Sequence, residues 1–201
     1  MANEALGTML LQLARAAISA RLLRGAEEQQ PAIADLVRST CADDEIAAAL
    51  AQRLREPGAS FVTLTQAGEL RGCIGSLQAW RPLADDVREN AVAAAFHDPR
   101  FAPLTAAELP QTRVEVSLLG PSEPIRFRDE ADALAQLRPG IDGVILDCAG
   151  RRATFLPQVW EQLPAAADFL AHLKRKAGLP AGWWSDELRL ARYAVDKWRE
   201  H

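Results

Sequence analysis

The stretch that most limits how this chain can fold runs from Phe61 to Leu77. Phe61-Val62-Thr63-Leu64 is aromatic and β-branched, Gln66-Ala67-Gly68-Glu69 has turn composition, and Leu70-Arg71-Gly72-Cys73-Ile74-Gly75-Ser76-Leu77 returns. Two such runs about a short glycine-containing turn predict a β-hairpin. Glycine weakens a strand interior, so Gly72 and Gly75 are expected to mark a bulge or a close backbone approach. Side chains alternate along a strand, which puts Arg71 and Cys73 on one face and Leu70 and Ile74 on the other. A guanidinium beside a thiol favours the thiolate, the nucleophilic and metal-binding form. The flanking glycines would leave space around the sulfur for another molecule. Against this stands the ordinary fate of a lone cysteine, which is to pack as a small hydrophobe.

The rest of the chain is read around that hairpin. Asn3 is placed to cap a first helix to about Leu23, with Leu6, Leu10, Leu13, Ala17 and Ala20 at helical spacing and Gly25 as its stop. A membrane-surface helix is the alternative there, disfavoured by its few basic residues. Glu27 to Pro31 reads as a loop, and Asp43 to Arg55 as a second helix ended by Pro57-Gly58. After the hairpin, Arg81-Pro82 opens a helix to about Phe96 whose alanine-rich face implies close packing against a sheet. Asp98-Pro99 terminates it, and Thr105-Ala106-Ala107-Glu108 fits a capping box. Arg113 to Leu119 alternates, with Val114, Val116 and Leu118 inward and Arg113, Glu115 and Ser117 outward, as in a half-buried strand. Ile125 to Phe127 is an edge strand and Asp129 to Leu137 a short helix. Gly143 to Cys148 and Ala153 to Leu156 form a second hairpin. Pro157 starts a short helix, Ala165 to Ala177 is a longer one, and Leu188 to Val195 is a last strand with helix as its alternative. Hairpins and helices without βαβ regularity predict an α+β fold on mostly antiparallel sheet.

Composition removes several function classes. The 201 residues are 49% hydrophobic and 25% charged, as in a soluble globular protein with a real core. A net charge of -4 argues against a nucleic-acid footprint, although a local basic patch stays open. Asn3 and Glu4 stand where a signal peptide would be positive, and no run of about 18 apolar residues predicts a membrane span. Cys41, Cys73 and Cys148 are too widely spaced for a zinc site or a disulfide framework, which points to reduced thiols in a cytoplasm. Phosphate-loop, dinucleotide, His-Glu-x-x-His and Gly-x-Ser-x-Gly patterns are missing. No metal or cofactor is expected.

Few residues remain as partners for Cys73. His97 lies in a turn after a helix, where a capping or surface role competes with pairing to the thiol. Glu115 reaches the cysteine only if its strand neighbours the hairpin, and solvated strand carboxylates are common. Asp142, between Ile141 and Gly143, is most simply a turn residue. Trp160, Trp183 and Trp184 line a pocket or, more simply, pack.

Five segments together resemble a known family. Leu70-Arg71-Gly72-Cys73-Ile74-Gly75, Asp98-Pro99-Arg100-Phe101, Glu115-Val116-Ser117-Leu118-Leu119, Pro139-Gly140-Ile141-Asp142-Gly143-Val144 and Thr154-Phe155-Leu156-Pro157-Gln158-Val159-Trp160 occur in the order and spacing of the AMMECR domain family. Its bacterial and archaeal members are called AmmeMemoRadiSam system protein A. The match covers about residues 40 to 198. The resemblance implies a single AMMECR-type domain over 1–201, an α+β fold of two subdomains enclosing a cleft, the smaller inside the chain. It implies a Memo-type protein and a radical SAM protein as companions, and it supplies no reaction. The resemblance carries over as Arg71 to Gly75, with Cys73 as the suspected functional atom; joined to the reading of the residues, the catalytic candidates are Cys73, Arg71, Glu115 and His97 and the ligand-binding ones Gly72, Ile74, Gly75 and Asp142. Two readings follow: an enzyme component using Cys73, or a binding and scaffold module for those companions or a small-molecule ligand. A homodimer is a further expectation.

Overall fold

A computed structural model describes residues 2–23 and 32–200. The expected stop at Gly25 and loop at Glu27–Pro31 lie outside the described residues. The chain divides into two units, Met1–Leu118 with Lys197–His201, and Leu119–Asp196.

The first unit begins with helix α1 (Ala2–Leu22), in which Met9, Leu10, Leu13, Ala14 and Ile18 are buried. That stripe is therefore core rather than a membrane-facing surface, and Asn3 lies inside the helix instead of capping it. Helix α2 (Ile33–Thr40) was not expected. Its signal is Ile33, Leu36 and Val37 at helical spacing, and all three pack on the core. Helix α3 (Asp44–Arg55) starts where Asp43 accepts hydrogen bonds from the backbone N–H groups of Glu45 and Ile46, both at 3.0 Å. Strand β1 (Pro57–Gly58) pairs with β4 (Arg81–Pro82).

Strands β2 (Ser60–Gln66) and β3 (Glu69–Gly75) form the expected hairpin. Its turn residues Ala67 and Gly68 have φ of 50° and 87°, the left-handed pair that two-residue hairpins use. Helix α4 (Leu83–Phe96) lays Val87, Ala91, Ala94 and Ala95 into the core with Val62, Leu64, Val114 and Val116 of the sheet. Small side chains let helix and sheet approach closely. Strand β5 (Thr112–Leu119) carries the predicted inward residues, but Glu115 and Ser117 are buried too, at 7% and 3% exposure. The strand is not half-solvated: it lies between β2 and β10 (Val195–Arg199) in a four-stranded sheet ordered β10-β5-β2-β3.

The second unit carries an antiparallel sheet ordered β6-β9-β7-β8, from β6 (Glu123–Ile125), β7 (Gly143–Cys148), β8 (Arg151–Phe155) and β9 (Arg189–Tyr193). Helices α5 (Glu130–Gln136) and α6 (Ala166–Lys176) complete it. Asp129 caps α5 by accepting from Asp132 N at 2.8 Å. The core holds Val144, Leu146, Leu170 and Leu173, with Trp160 stacked on Phe169 at a 3.8 Å centroid separation. Trp160 is thus packing, with 3% exposure. The fold is α+β on antiparallel sheets. Among the described residues no helix is long and apolar enough to cross a membrane.

Candidate functional site

Cys73 sits near the end of β3, partly exposed and directly opposite Thr63 of β2. Opposed residues of a hairpin share a face, so the pairing brings the Thr63 hydroxyl to the sulfur, to which it donates at 3.3 Å. The backbone of Cys73 is held from the other direction by the turn after α4. Its N–H donates to Asp98 Oδ2 at 2.9 Å, and its carbonyl accepts from Arg100 Nη2 at 3.3 Å. Asp98 is 4% exposed, and Arg100 binds it through Nε at 2.9 Å and Nη2 at 2.7 Å. Those guanidinium bonds hold the Asp98 carboxyl well below the usual carboxylate range, helped by the Cys73 and Arg100 N–H groups and opposed by burial.

Arg71 reaches the same segment. The register slips between Leu64 and Thr65, which pair with Gly72 and Leu70, so Arg71 is the extra residue of a bulge. Its Nε donates to Glu108 Oε1 at 3.2 Å, and its guanidinium lies 5.9 Å from the Phe101 ring centre. Glu108 also accepts from the Thr105 backbone N–H and hydroxyl, both at 2.8 Å, which is one half of the expected capping box: the Glu108 N–H goes to the Thr105 carbonyl and not to its hydroxyl. Those two bonds, followed by Arg71, bring the Glu108 carboxyl down to about 2. Arg71 Nη1 is buried with no hydrogen-bond partner among the described residues, so one donor of the guanidinium stays unused.

The bulge changes the expected alternation. Ile74 packs on the core, but Leu70 is 43% exposed and anchors nothing. The glycines mark the close approaches the sequence suggests, but do not open the space beside the sulfur that it also suggests. A Cβ at Gly72 would stand 2.1 Å from the Ala94 carbonyl oxygen of α4, and one at Gly75 would stand 2.3 Å from the Phe61 ring. Their space is filled by the protein's own atoms, not left open beside the sulfur.

The other candidates disperse. Glu115 is opposite Thr63 on β5, so Glu115, Thr63 and Cys73 form one row across three strands. Its carboxylate turns to β10, where Arg199 Nε and Nη2 bind at 3.0 and 2.8 Å and Lys197 at 3.3 Å. It is therefore neutralised two strands from the cysteine. His97 caps the C-terminus of α4, is exposed, and lines a groove with Arg21, Leu22, Phe96 and Pro103. Asp142 belongs to the second unit, fully buried. It accepts from Arg138 N and Nε at 2.9 Å each and Nη2 at 2.6 Å, while its carbonyl accepts from Trp160 Nε1 at 2.8 Å. This fits the turn role. Among the described residues no cluster of three His, Cys, Asp or Glu could hold a metal ion.

Beyond the cysteine, a fully buried carboxylate fixes the end of β3. Asp86 Oδ2 accepts from Ser60 N, Ser60 Oγ and Asn90 Nδ2 at 2.8, 2.7 and 2.9 Å. Its Oδ1 accepts from Ser76 Oγ at 2.6 Å and Arg81 Nε at 2.9 Å. Thr63, Asp98, Arg100 and Asp86 were not singled out as site residues from the sequence. Thr63 was accessible through hairpin register, and Asp98 and Arg100 through the Asp-Pro-Arg-Phe segment.

The AMMECR1 family profile matches residues 11–198, and the chain belongs to that family. A protein of Methanothermobacter thermautotrophicus is 40% identical over 146 residues, covering 70% of this chain and 74% of the relative. One from Thermotoga maritima is 40% identical over 147 residues, covering 72% and 79%. The crystal structure of an uncharacterised protein from Pyrococcus horikoshii is similar at a TM-score of 0.79 and 30% identity, over 98% of this chain and 92% of that one.

Proposed function

We propose that this chain is an enzyme component acting through the Cys73 sulfur, in company with the Memo-type and radical SAM proteins that the family resemblance suggests. The observation that carries the reading is the combined fixing of Cys73. Its N–H and C=O are clamped by Asp98 and Arg100, while the residue is partly exposed and, among the described residues, its sulfur accepts from the Thr63 hydroxyl and lies within electrostatic reach of the Arg100 guanidinium. A sulfur so positioned suits nucleophilic attack or acceptance of a transferred group. Cys73→Ser and Cys73→Ala test it in the reconstituted three-protein system. Lost turnover with retained partner binding supports chemistry at the sulfur; retained turnover in both variants removes it.

The second reading, a binding module, is favoured by one specific observation. Glu115 and His97, the expected proton acceptors, make no hydrogen bond to the sulfur among the described residues. Under that reading both Cys73 variants keep full system activity.

A further inference from the structure

The second unit holds a groove of about 370 Å³ beside β6 and the start of β9, a volume in the range of small-molecule sites. Arg126, Phe127, Arg128, Trp184, Asp186 and Arg189 line it, three guanidinium groups against one carboxylate. That balance opposes the net negative charge of the whole chain.

The three arginines differ in what occupies them. Among the described residues the Arg126 side chain makes no hydrogen bond or ion pair, and its backbone carbonyl is held by Gln136 Nε2 at 2.8 Å. Arg128 is tied to Asp132 through Nε at 3.1 Å, which leaves its two terminal nitrogens without partners among the described residues. Arg189 Nη1 donates to the carbonyls of Asp186 and Leu188 at 2.6 and 3.1 Å and so braces the groove's own loop. One wall is aromatic. Phe127 and Trp184 have ring centres 5.4 Å apart at 60°, and Trp184 is steadied by the Lys174 ammonium 5.2 Å from its ring. Buried Ile125 and Leu190 supply an apolar floor.

The geometry points to a ligand site for a small anion with a planar aromatic body, its phosphate or carboxylate taken by Arg126 and Arg128 and its ring by Phe127 and Trp184. Free guanidinium forks match such anions, and aromatic faces take a flat ring. This site is separate from the Cys73 chemistry proposed above and does not depend on it.

The test is calorimetric titration of the full chain with AMP, adenosine and inorganic phosphate at low salt. The expected result is saturable AMP binding, with adenosine and phosphate each at least about tenfold weaker. Arg126→Ala and Phe127→Ala should each weaken AMP by about tenfold, with circular dichroism unchanged for the exposed Arg126. Failure of AMP to saturate, phosphate binding as tightly as AMP, or an Arg126→Ala variant with native affinity would overturn the assignment. So would a short single-stranded oligonucleotide that binds far more tightly than AMP, which would make the groove a nucleic-acid surface.

Discussion

Asp98 holds Cys73 by its backbone and not by its sulfur: the Cys73 N–H donates to Asp98 Oδ2 at 2.9 Å. The carboxylate is buried, so the bond is charge-assisted and screened little by solvent. Asp98→Ala removes the acceptor of two backbone N–H groups and the partner of Arg100. It should destabilise the chain by roughly 1–3 kcal/mol in urea unfolding. An unchanged midpoint would show that the clamp contributes nothing.

The acid response follows from Glu108 and Asp98 together. Both folded pKa values lie below their ordinary 4.5 and 3.8. A carboxyl with a depressed folded pKa adds stability above its unfolded pKa and loses it as pH falls through the folded one. Stability should therefore decline once pH drops below about 4.5 and continue falling toward 2, where Glu108 titrates. Glu108→Gln should flatten part of that decline in unfolding measured across pH, and a wild-type slope in the variant would contradict it.

Gly72 is tested by the smallest possible substitution. Gly72→Ala drives a methyl to 2.1 Å from a backbone carbonyl that cannot move without shifting α4. The expected loss is about 1–3 kcal/mol or failure to fold. Gly68→Ala, whose Cβ would meet nothing within 4 Å, is the control for the loss of a glycine as such, although its φ of 87° carries its own smaller strain. Equal stability of Gly72→Ala and wild type would return the glycine to a role in ligand access.

Asp86→Ala leaves the Arg81 guanidinium, which is 12% exposed, and the Ser60, Ser76 and Asn90 donors without their common acceptor. Arg81 keeps its ion pair with Glu89, so the cost is that of the buried donors left unsatisfied, about 1–3 kcal/mol or more. Thermal or urea unfolding reads it directly, and a loss under 1 kcal/mol, about the scale of a single neutral hydrogen bond, would contradict it.

Local patterning made most of the elements legible. The two hairpin turns follow from residue types at fixed short offsets and occur where expected, and the Thr105–Glu108 contact does so in part; Asp43 and Asp129 stand as caps where the sequence reading begins the helices themselves. What failed depended on long-range pairing. Glu115 looked solvated because its alternation is polar, and only β10, some eighty residues later in the chain, covers it with Lys197 and Arg199. Helix α2 is short and its apolar stripe is three residues, too little for periodicity to stand out. Gly72 and Gly75 were correctly read as close approaches, but which atoms approach is set by α4 and Phe61, not by neighbours in sequence. The Cys73 surroundings were half legible: Thr63 follows from register, whereas Asp98 and Arg100 arrive through the packing of the α4 terminus.

The most direct test of the central claim is a competition between two cysteines of the same folded chain. Cys73 and Cys41 are both partly exposed, while Cys148 is buried at 1%. Cys73 accepts from the Thr63 hydroxyl at its sulfur, whereas the Cys41 sulfur donates to the Asp43 carbonyl at 3.6 Å. Site-resolved iodoacetamide labelling at neutral pH, followed by mass spectrometry, should find Cys73 modified several-fold faster than Cys41, with Thr63→Val reducing that lead. Labelling of Cys41 at an equal or greater rate would contradict a functional sulfur at Cys73.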